Sequence, residues 1–256
     1  MTLNHHPFDA AIIDLDGTLI DTMGDFVVAL NLMLTDLSLP QVARAVVEPL
    51  VGKGSEHLIR SVLDHVQNRP PAQVVQAQSA IDSGADADLN AAAWRSYQRH
   101  YLAVNGRHAH VYPGVTDGLK LLQSQGLRLA CLTNKPIAFA LPLLRSKGLD
   151  HFFPQVFGGD SFERKKPDPL PLLKTCESLH SQPTRTLVVG DSSNDARAAR
   201  AAGCPVLLVT YGYNHGEPVR AVDADGFVES LVAIELAGIK TATGLSPHWS
   251  IGAQRL

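Results

Sequence analysis

The sequence predicts an α/β protein: a Rossmann-like parallel sheet with helices on both faces and an inserted helical cap domain. Three observations predict it. Short apolar runs alternate with helical segments through the second half of the chain. Those runs are apolar throughout, as strands buried on both faces are. The first such run is cut off from the others by a long stretch of helical periodicity.

Residues 8–15 (FDAAIIDL) read as a buried strand feeding a loop of Asp, Gly and Thr. Helical spacing follows. Phe26, Leu30, Leu34 and Leu37 recur at three- and four-residue intervals behind Asp21 or Thr22, either a suitable N-cap. Leu58, Ile59, Val62 and Val66 repeat the pattern behind Ser55. Pro40, Gly52, Gly54 and Pro70-Pro71 punctuate it, and residues 77–90 are polar and rich in Ala and Asp. Trp94, Tyr97 and Tyr101 fall at helical spacing and read as a packing stripe.

After Pro113 the rhythm changes. A helix over 115–125 stops at Gly126, and a strand follows at 127–133 (LRLACLT). Next come a helix after Pro136, a short strand at 156–159 and a helix after Pro169. The remaining pattern is a strand at 186–191, a helix over 194–202 closed by Gly203, a strand at 205–210 and a short one at 226–228. The expected organisation is an α/β core from 1–20 and 104–240, a helical insertion over 21–103 and a poorly packed tail over 241–256.

Composition narrows the class. A chain of 256 residues, 45% apolar and 18% charged, can bury a core without disulfides or structural metal. A net charge of −3 argues against a nucleic-acid partner. No run of 18 apolar residues exists to span a membrane. Residues 1–8 lack the apolar stretch of a signal peptide. Three scattered cysteines fit neither a metal site nor a disulfide framework, and Cys131 reads as an inert core thiol. The expectation is a soluble cytoplasmic protein, its oligomeric state left open.

In a sheet of this kind ligands bind beyond the carboxyl ends of the strands. The first strand ends in Asp14-Leu15-Asp16-Gly17-Thr18, the second in Thr133-Asn134-Lys135 and a third in Asp191-Ser192-Ser193-Asn194-Asp195. Arg164-Lys165-Lys166-Pro167 precedes a helix. Each piece alone has a plain structural reading: turn chemistry for the Asp pair, a helix cap for Asp191 and Asp195, a solvated Lys166. Together, at successive strand ends, they converge on chemistry. Asp14 and Asp16 are two residues apart and face one side of an extended chain. With Asp191 they form a carboxylate cluster that needs a cation, and an all-oxygen donor set suits Mg²⁺. Lys166 adds positive charge where phosphoryl oxygens gather it. Thr133 and Asn134 stand near a helix N-terminus, a natural anion site, and Gly17 leaves backbone N–H groups open to a phosphate.

These four segments resemble the haloacid dehalogenase superfamily. DLDGT (Asp14 to Thr18), LTN (Leu132 to Asn134), Lys166 before Pro167-Asp168-Pro169, and GDSSND (Gly190 to Asp195) match its four motifs in order. The stretch VVGDSSNDARAARAAGCPVLLVTYGYNHGE is similar to the phosphoglycolate phosphatase branch. The resemblance implies that Asp14 is the nucleophile and Asp16 the general acid and base. It implies that Thr133 and Lys166 hold the phosphoryl group. Asp14, the backbone carbonyl of Asp16, and Asp191 would bind Mg²⁺, with Asp195 supporting them. The implied substrate is a small phosphorylated metabolite, 2-phosphoglycolate first.

Asp16 separates chemistries within the superfamily, because a phosphatase needs a proton donor for the leaving oxygen. A hexose phosphomutase keeps the same Asp and stays open as an alternative, as does a non-catalytic binding module on this fold. The block 21–103 resembles the mobile cap of the family, and the chain departs from the family pattern after Pro70. VGKGSEHL (Val51 to Leu58) occupies the cap segment that faces the site in relatives, so Lys53 could meet a substrate carboxylate. His57 reads as packing or capping. Tyr211-Gly212-Tyr213 could shape the core near the site, and His215 has no partner visible in sequence.

Overall fold

The computed structural model describes residues 7–67 and 84–236. The chain opens with β1 (Ala10–Ile13), turns into the two-residue strand β2 (Ile20–Asp21), and enters α1 (Met23–Asp36), α2 (Arg44–Val47), α3 (Ser55–Val66) and α4 (Gly84–Val104). It returns through β3 (His110–Val111). It then alternates α5 (Val115–Ser124), β4 (Arg128–Leu132), α6 (Ile137–Ser146), β5 (Gln155–Phe157), α7 (Leu170–Ser178), β6 (Thr186–Gly190), α8 (Ser193–Ala202), β7 (Val206–Val209) and β8 (Gly226–Val228).

Six strands form one sheet in the order β5–β4–β1–β6–β7–β8, every neighbouring pair parallel. The chain fills one side of β1 and then the other. The order therefore reverses at β1, which opens a crevice beyond its carboxyl end. Alternate residues of β1 serve opposite layers. Ala11 and Ile13 pack with Leu119 and Leu122 of α5 and Leu143 and Leu144 of α6. Ala10 and Ile12 pack with Leu172 and Cys176 of α7 and Ala199 of α8. Burial on both faces is why the run is continuously apolar. The strand is shorter than its apolar run, because the chain coils at once: Leu19 N and Ile20 N both donate to Leu15 O, at 3.0 and 3.1 Å.

The helices α1 to α4 build a second apolar core around Met23, Phe26, Leu30, Leu58, Val62 and Tyr97. That core also takes in Phe139 of α6 and Tyr213 after β7, so the helical segment is seated on the sheet-bearing part. Tyr97 and Tyr101 stack with ring centroids 5.3 Å apart, as a packing stripe should. The segment leaves and returns through the antiparallel ribbon β2–β3, too short for any periodicity to announce. Buried Asp25 fastens this junction by accepting from Gly106 N at 2.6 Å and His108 N at 2.8 Å. The expected long, polar stretch after Pro70 lies largely outside the described residues, and the tail over 241–256 does so entirely.

Of the two residues expected to cap α1, Asp21 does so, its Oδ1 accepting from Met23 N at 3.0 Å. Thr22 stands at the N-cap position of α1 but makes no capping bond, and its hydroxyl donates instead to Asp16 Oδ1 at 2.8 Å. The first N–H groups of α1 are taken by Tyr213 Oη, 2.8 Å from Thr22 N and 3.1 Å from Met23 N, and by Asp21 Oδ1. A partner 191 positions away thus adds to the local cap that Asp21 supplies.

At the far end of α1, Asp36 accepts from Ser96 Oγ, Arg99 and His100 of α4. Ser96 and then His100 hold its carboxyl down to about 2. A depressed carboxyl stabilises the fold above its unfolded value of about 3.9, and that contribution is lost as pH falls through the folded value. Urea midpoints of the wild type and Asp36→Asn should differ near neutral pH and converge as the pH drops toward about 2. A gap that does not narrow in acid would reject this account.

Candidate active site

The polar residues gather beyond the carboxyl ends of β1, β4 and β6. Asp14, Asp16, Thr133, Asn134, Lys135, Lys166 and Asp195 line one cavity, with Phe26, Gly52 and Ser55 of the helical segment closing over it. Its free space is about 30 Å³. That is room for about two waters, at ~10–15 Å³ each.

Charge dominates the floor. Carboxylate oxygens of Asp14, Asp191 and Asp195 lie within 4.8 Å of one another. Lys166 Nζ sits 2.8 Å from Asp14 Oδ1, 2.7 Å from Asp195 Oδ1 and 2.9 Å from Leu132 O. Burial pushes the Asp14 carboxyl up to about 7 against the pull of Lys166, and the Asp195 charge adds to the rise. Burial, then Asp195 and Asp14, also raise Asp191. Burial works against the Lys166 ammonium, yet Asp14 and Asp195 hold its pKa above the ordinary range. Three carboxylates face one ammonium, so the ionised site carries uncompensated negative charge in a poorly hydrated place. Hard oxygen donors in that state suit a small divalent cation.

The three carboxylates have different surroundings. Both oxygens of Asp195 are occupied: Oδ1 by Lys166, Oδ2 by Ser192 N at 3.2 Å and Ser192 Oγ at 2.7 Å, a capping box that starts α8. Asp191 Oδ2 accepts from Tyr213 N at 2.7 Å. Its carboxylate fits only because two neighbours lack side chains. A Cβ on Gly17 would stand 2.3 Å from Asp191 Oδ2, and one on Gly212 2.2 Å from Asp191 Cβ. Gly17, at φ +83°, donates its N–H to Ile20 O at 2.9 Å. The Gly17 N–H is therefore engaged within the turn, and the bareness of Gly17 makes room for Asp191.

Asp16 points to the cap side. Its carboxylate accepts from Thr22 Oγ1 and from Lys135 Nζ at 2.9 and 3.1 Å. Lys135 is 3% exposed and lies 4.5 and 4.7 Å from the ring centroids of Phe26 and Tyr101. Sequence reasoning passed over Lys135, although its place directly after Thr133-Asn134 at a strand end was the available signal. Thr133 is buried in the cavity wall, its Oγ1 accepting from Lys135 N at 3.2 Å. The Asn134 amide is committed to shape, donating to Lys166 O at 2.8 Å and to Gly52 O at 3.0 Å. Lys53 is exposed and does not line the cavity, whereas its neighbours Gly52 and Gly54 do. Burial, with the nearby charges of Lys53 and Lys165, lowers His57 to about 4.

The family model of the haloacid dehalogenase-like hydrolases matches residues 11–209, which span all four charged segments. The chain belongs to the haloacid dehalogenase-like hydrolase family. It is 40% identical over 230 residues to a phosphoglycolate phosphatase of Thiobacillus denitrificans, covering 90% of this chain and 95% of that one. It is 44% identical over 225 residues to a phosphoglycolate phosphatase of Nitrosospira multiformis, covering 88% and 93%. Among solved structures, a predicted phosphoglycolate phosphatase from Haemophilus somnus superposes with a TM-score of 0.79 at 32% identity, covering 88% of this chain and 96% of that one. No helix among the described residues is long and apolar enough to cross a membrane.

The hydrolase's two Asp191-facing glycines give a test. Gly212→Ala should displace the Asp191 carboxylate and weaken divalent-cation binding about tenfold or more, as loss of ligand positioning does elsewhere. Calorimetric titration of the variant with Mg²⁺ checks it, and wild-type affinity would sink it.

Proposed function

We propose that this hydrolase is a Mg²⁺-dependent phosphatase that cleaves a small phosphomonoester, 2-phosphoglycolate first, to an alcohol and phosphate. The observation that carries the reading is the position of Asp14. Its carboxylate sits between the Lys166 ammonium and Asp191, with the Asp16 carboxylate two residues on and turned to the cap side. The high identity to proteins named phosphoglycolate phosphatase, over nine-tenths of the chain, supports the same substrate.

Asp14 attacks the phosphorus in line, and the ester P–O bond breaks as the aspartyl P–O bond forms. Asp16 delivers its proton to the departing alcohol oxygen. It then takes a proton from water as that water attacks the phosphorus, which frees Asp14 and phosphate. Lys166 and the Thr133 hydroxyl hold the phosphoryl oxygens, and Asp195 keeps Lys166 in place. The side chains of Asp14 and Asp191 and the backbone carbonyl of Asp16 would hold Mg²⁺, which supplies positive charge against the phosphoryl oxygens. Lys53, between the cavity-lining Gly52 and Gly54, is assigned to the carboxylate of the substrate. Three free, buried cysteines suit a reducing compartment, and we place the enzyme in the cytoplasm.

Asp14→Asn should abolish turnover and leave the circular dichroism spectrum unchanged. Full activity in that variant would reject the covalent step. Chelation by EDTA should silence phosphate release and added Mg²⁺ restore it. 2-Phosphoglycolate should release free phosphate with no phosphorylated activator present. A requirement for such an activator would favour a phosphomutase instead.

A further inference from the structure

We propose that His215 is a positioning residue, whose ring latches the Val51–Gly52 segment of the cap over the reaction cavity. It completes a strap, residues 213–215, that ties the cap to the Asp191 carboxylate. The inference rests on the phosphatase reading of that cavity.

The strap does three things in three consecutive residues. Tyr213 N donates to Asp191 Oδ2, while Tyr213 Oη accepts from Thr22 N and Met23 N and donates to Asp21 Oδ1 at 2.8 Å. One residue thus joins a carboxylate of the site, through its backbone N–H, to the hinge of the cap, through its hydroxyl. Asn214 Oδ1 accepts from Ser193 N at 2.8 Å, at the start of α8. His215 Nδ1 lies 2.7 Å from Val51 O and donates to it. Beside it, Gly52 O accepts from Asn134 Nδ2 and from Asn194 Nδ2 at 3.2 Å. Two successive cap carbonyls are therefore gripped by three side chains of the core.

The strap is held at a cost. Asn214 and His215 adopt φ of +36° and +55°, a region that side-chain-bearing residues avoid. His215 Nε2 is buried without a hydrogen-bond partner among the described residues. Burial foremost keeps the imidazole neutral, so its single N–H goes to Val51 O. Strain and an orphaned atom persist where position matters. Gly52 is fitted to the ring, since a Cβ there would stand 2.7 Å from His215 Cε1. Val51 and Gly52 line the reaction cavity, so access to it depends on how the cap stands. Whatever holds it down sets the fraction of closed enzyme.

Trp94 of α4 reports the state of the cap, because it lines a cleft of about 330 Å³ against Pro136, Ala138 and Lys165 of the core. The experiment uses a Trp249→Phe background, which leaves Trp94 as the sole tryptophan. His215→Ala should raise acrylamide quenching of Trp94 in the ligand-free protein. It should also raise KM for the phosphomonoester about fivefold with kcat within about twofold, the shift expected from one lost hydrogen bond. His215→Asn, which returns an N–H near Nδ1, should recover both. Gly52→Ala, which pushes the ring off Val51, should reproduce His215→Ala and stands in if that variant does not fold. Wild-type quenching and KM in both His215→Ala and Gly52→Ala would overturn the proposal, as would an asparagine variant no better than alanine. If no variant releases phosphate but quenching still separates His215→Ala from wild type, the phosphatase reading fails and the strap stands.

Discussion

Lys166 lies within 2.8 Å of both Asp14 and Asp195, at the carboxyl end of the central strand, and Asp191 completes the carboxylate group around it. Gathering like charges away from water is unfavourable unless each is held by partners. Much of the surrounding structure supplies those partners. β1, β4 and β6 deliver their polar ends to one place because they are adjacent in the sheet. The capping box of α8 fills the second oxygen of Asp195, and Leu132 O takes a further proton of the ammonium. Two glycines without side chains let the Asp191 carboxylate in. The charge that stays uncompensated suits a small divalent cation.

The second constraint is that the proposed acyl-phosphate chemistry calls for a pocket shielded from bulk water. The helical segment is joined to the core by a two-strand ribbon, and Asp25 pins that junction through two backbone N–H groups. Its apolar core reaches across to Phe139 and Tyr213, so the contact between the two parts buries hydrophobic surface. Phe26 and Tyr101 also lie against the Lys135 ammonium, which in turn holds the Asp16 carboxylate. The proposed acid and base is therefore oriented by groups from both parts of the chain. Its geometry depends on where the cap stands.

Several residues do other work than their local context suggests. Thr22 has the sequence position of a helix cap and gives its hydroxyl to Asp16. Asn134 stands where an anion could dock and uses its amide to join Lys166 O to the cap carbonyl of Gly52. Tyr213 has the look of a core aromatic, and its hydroxyl caps α1 from 190 positions away. In each case a hydrogen-bonding group takes the partner that the fold brings near, and that partner is distant in sequence.

The sequence by itself determined the sheet, its flanking helices and the four charged segments at the strand ends. Those features are local: continuous apolar runs, helical spacing, and Asp or Lys beside Gly and Pro are written in neighbouring residues. It also marked Asp14, Asp16, Lys166 and Asp191 as candidates for one site, and the fold brings their side chains to one place. Only the tertiary structure decided that Gly17 makes room for a carboxylate, that Lys135 grips Asp16, and that Lys53 lies outside the closed cavity while His215 reaches the cap. The reason is physical. These outcomes depend on distances between elements far apart in the chain, and a side chain's partner is fixed only when the packing of those elements is.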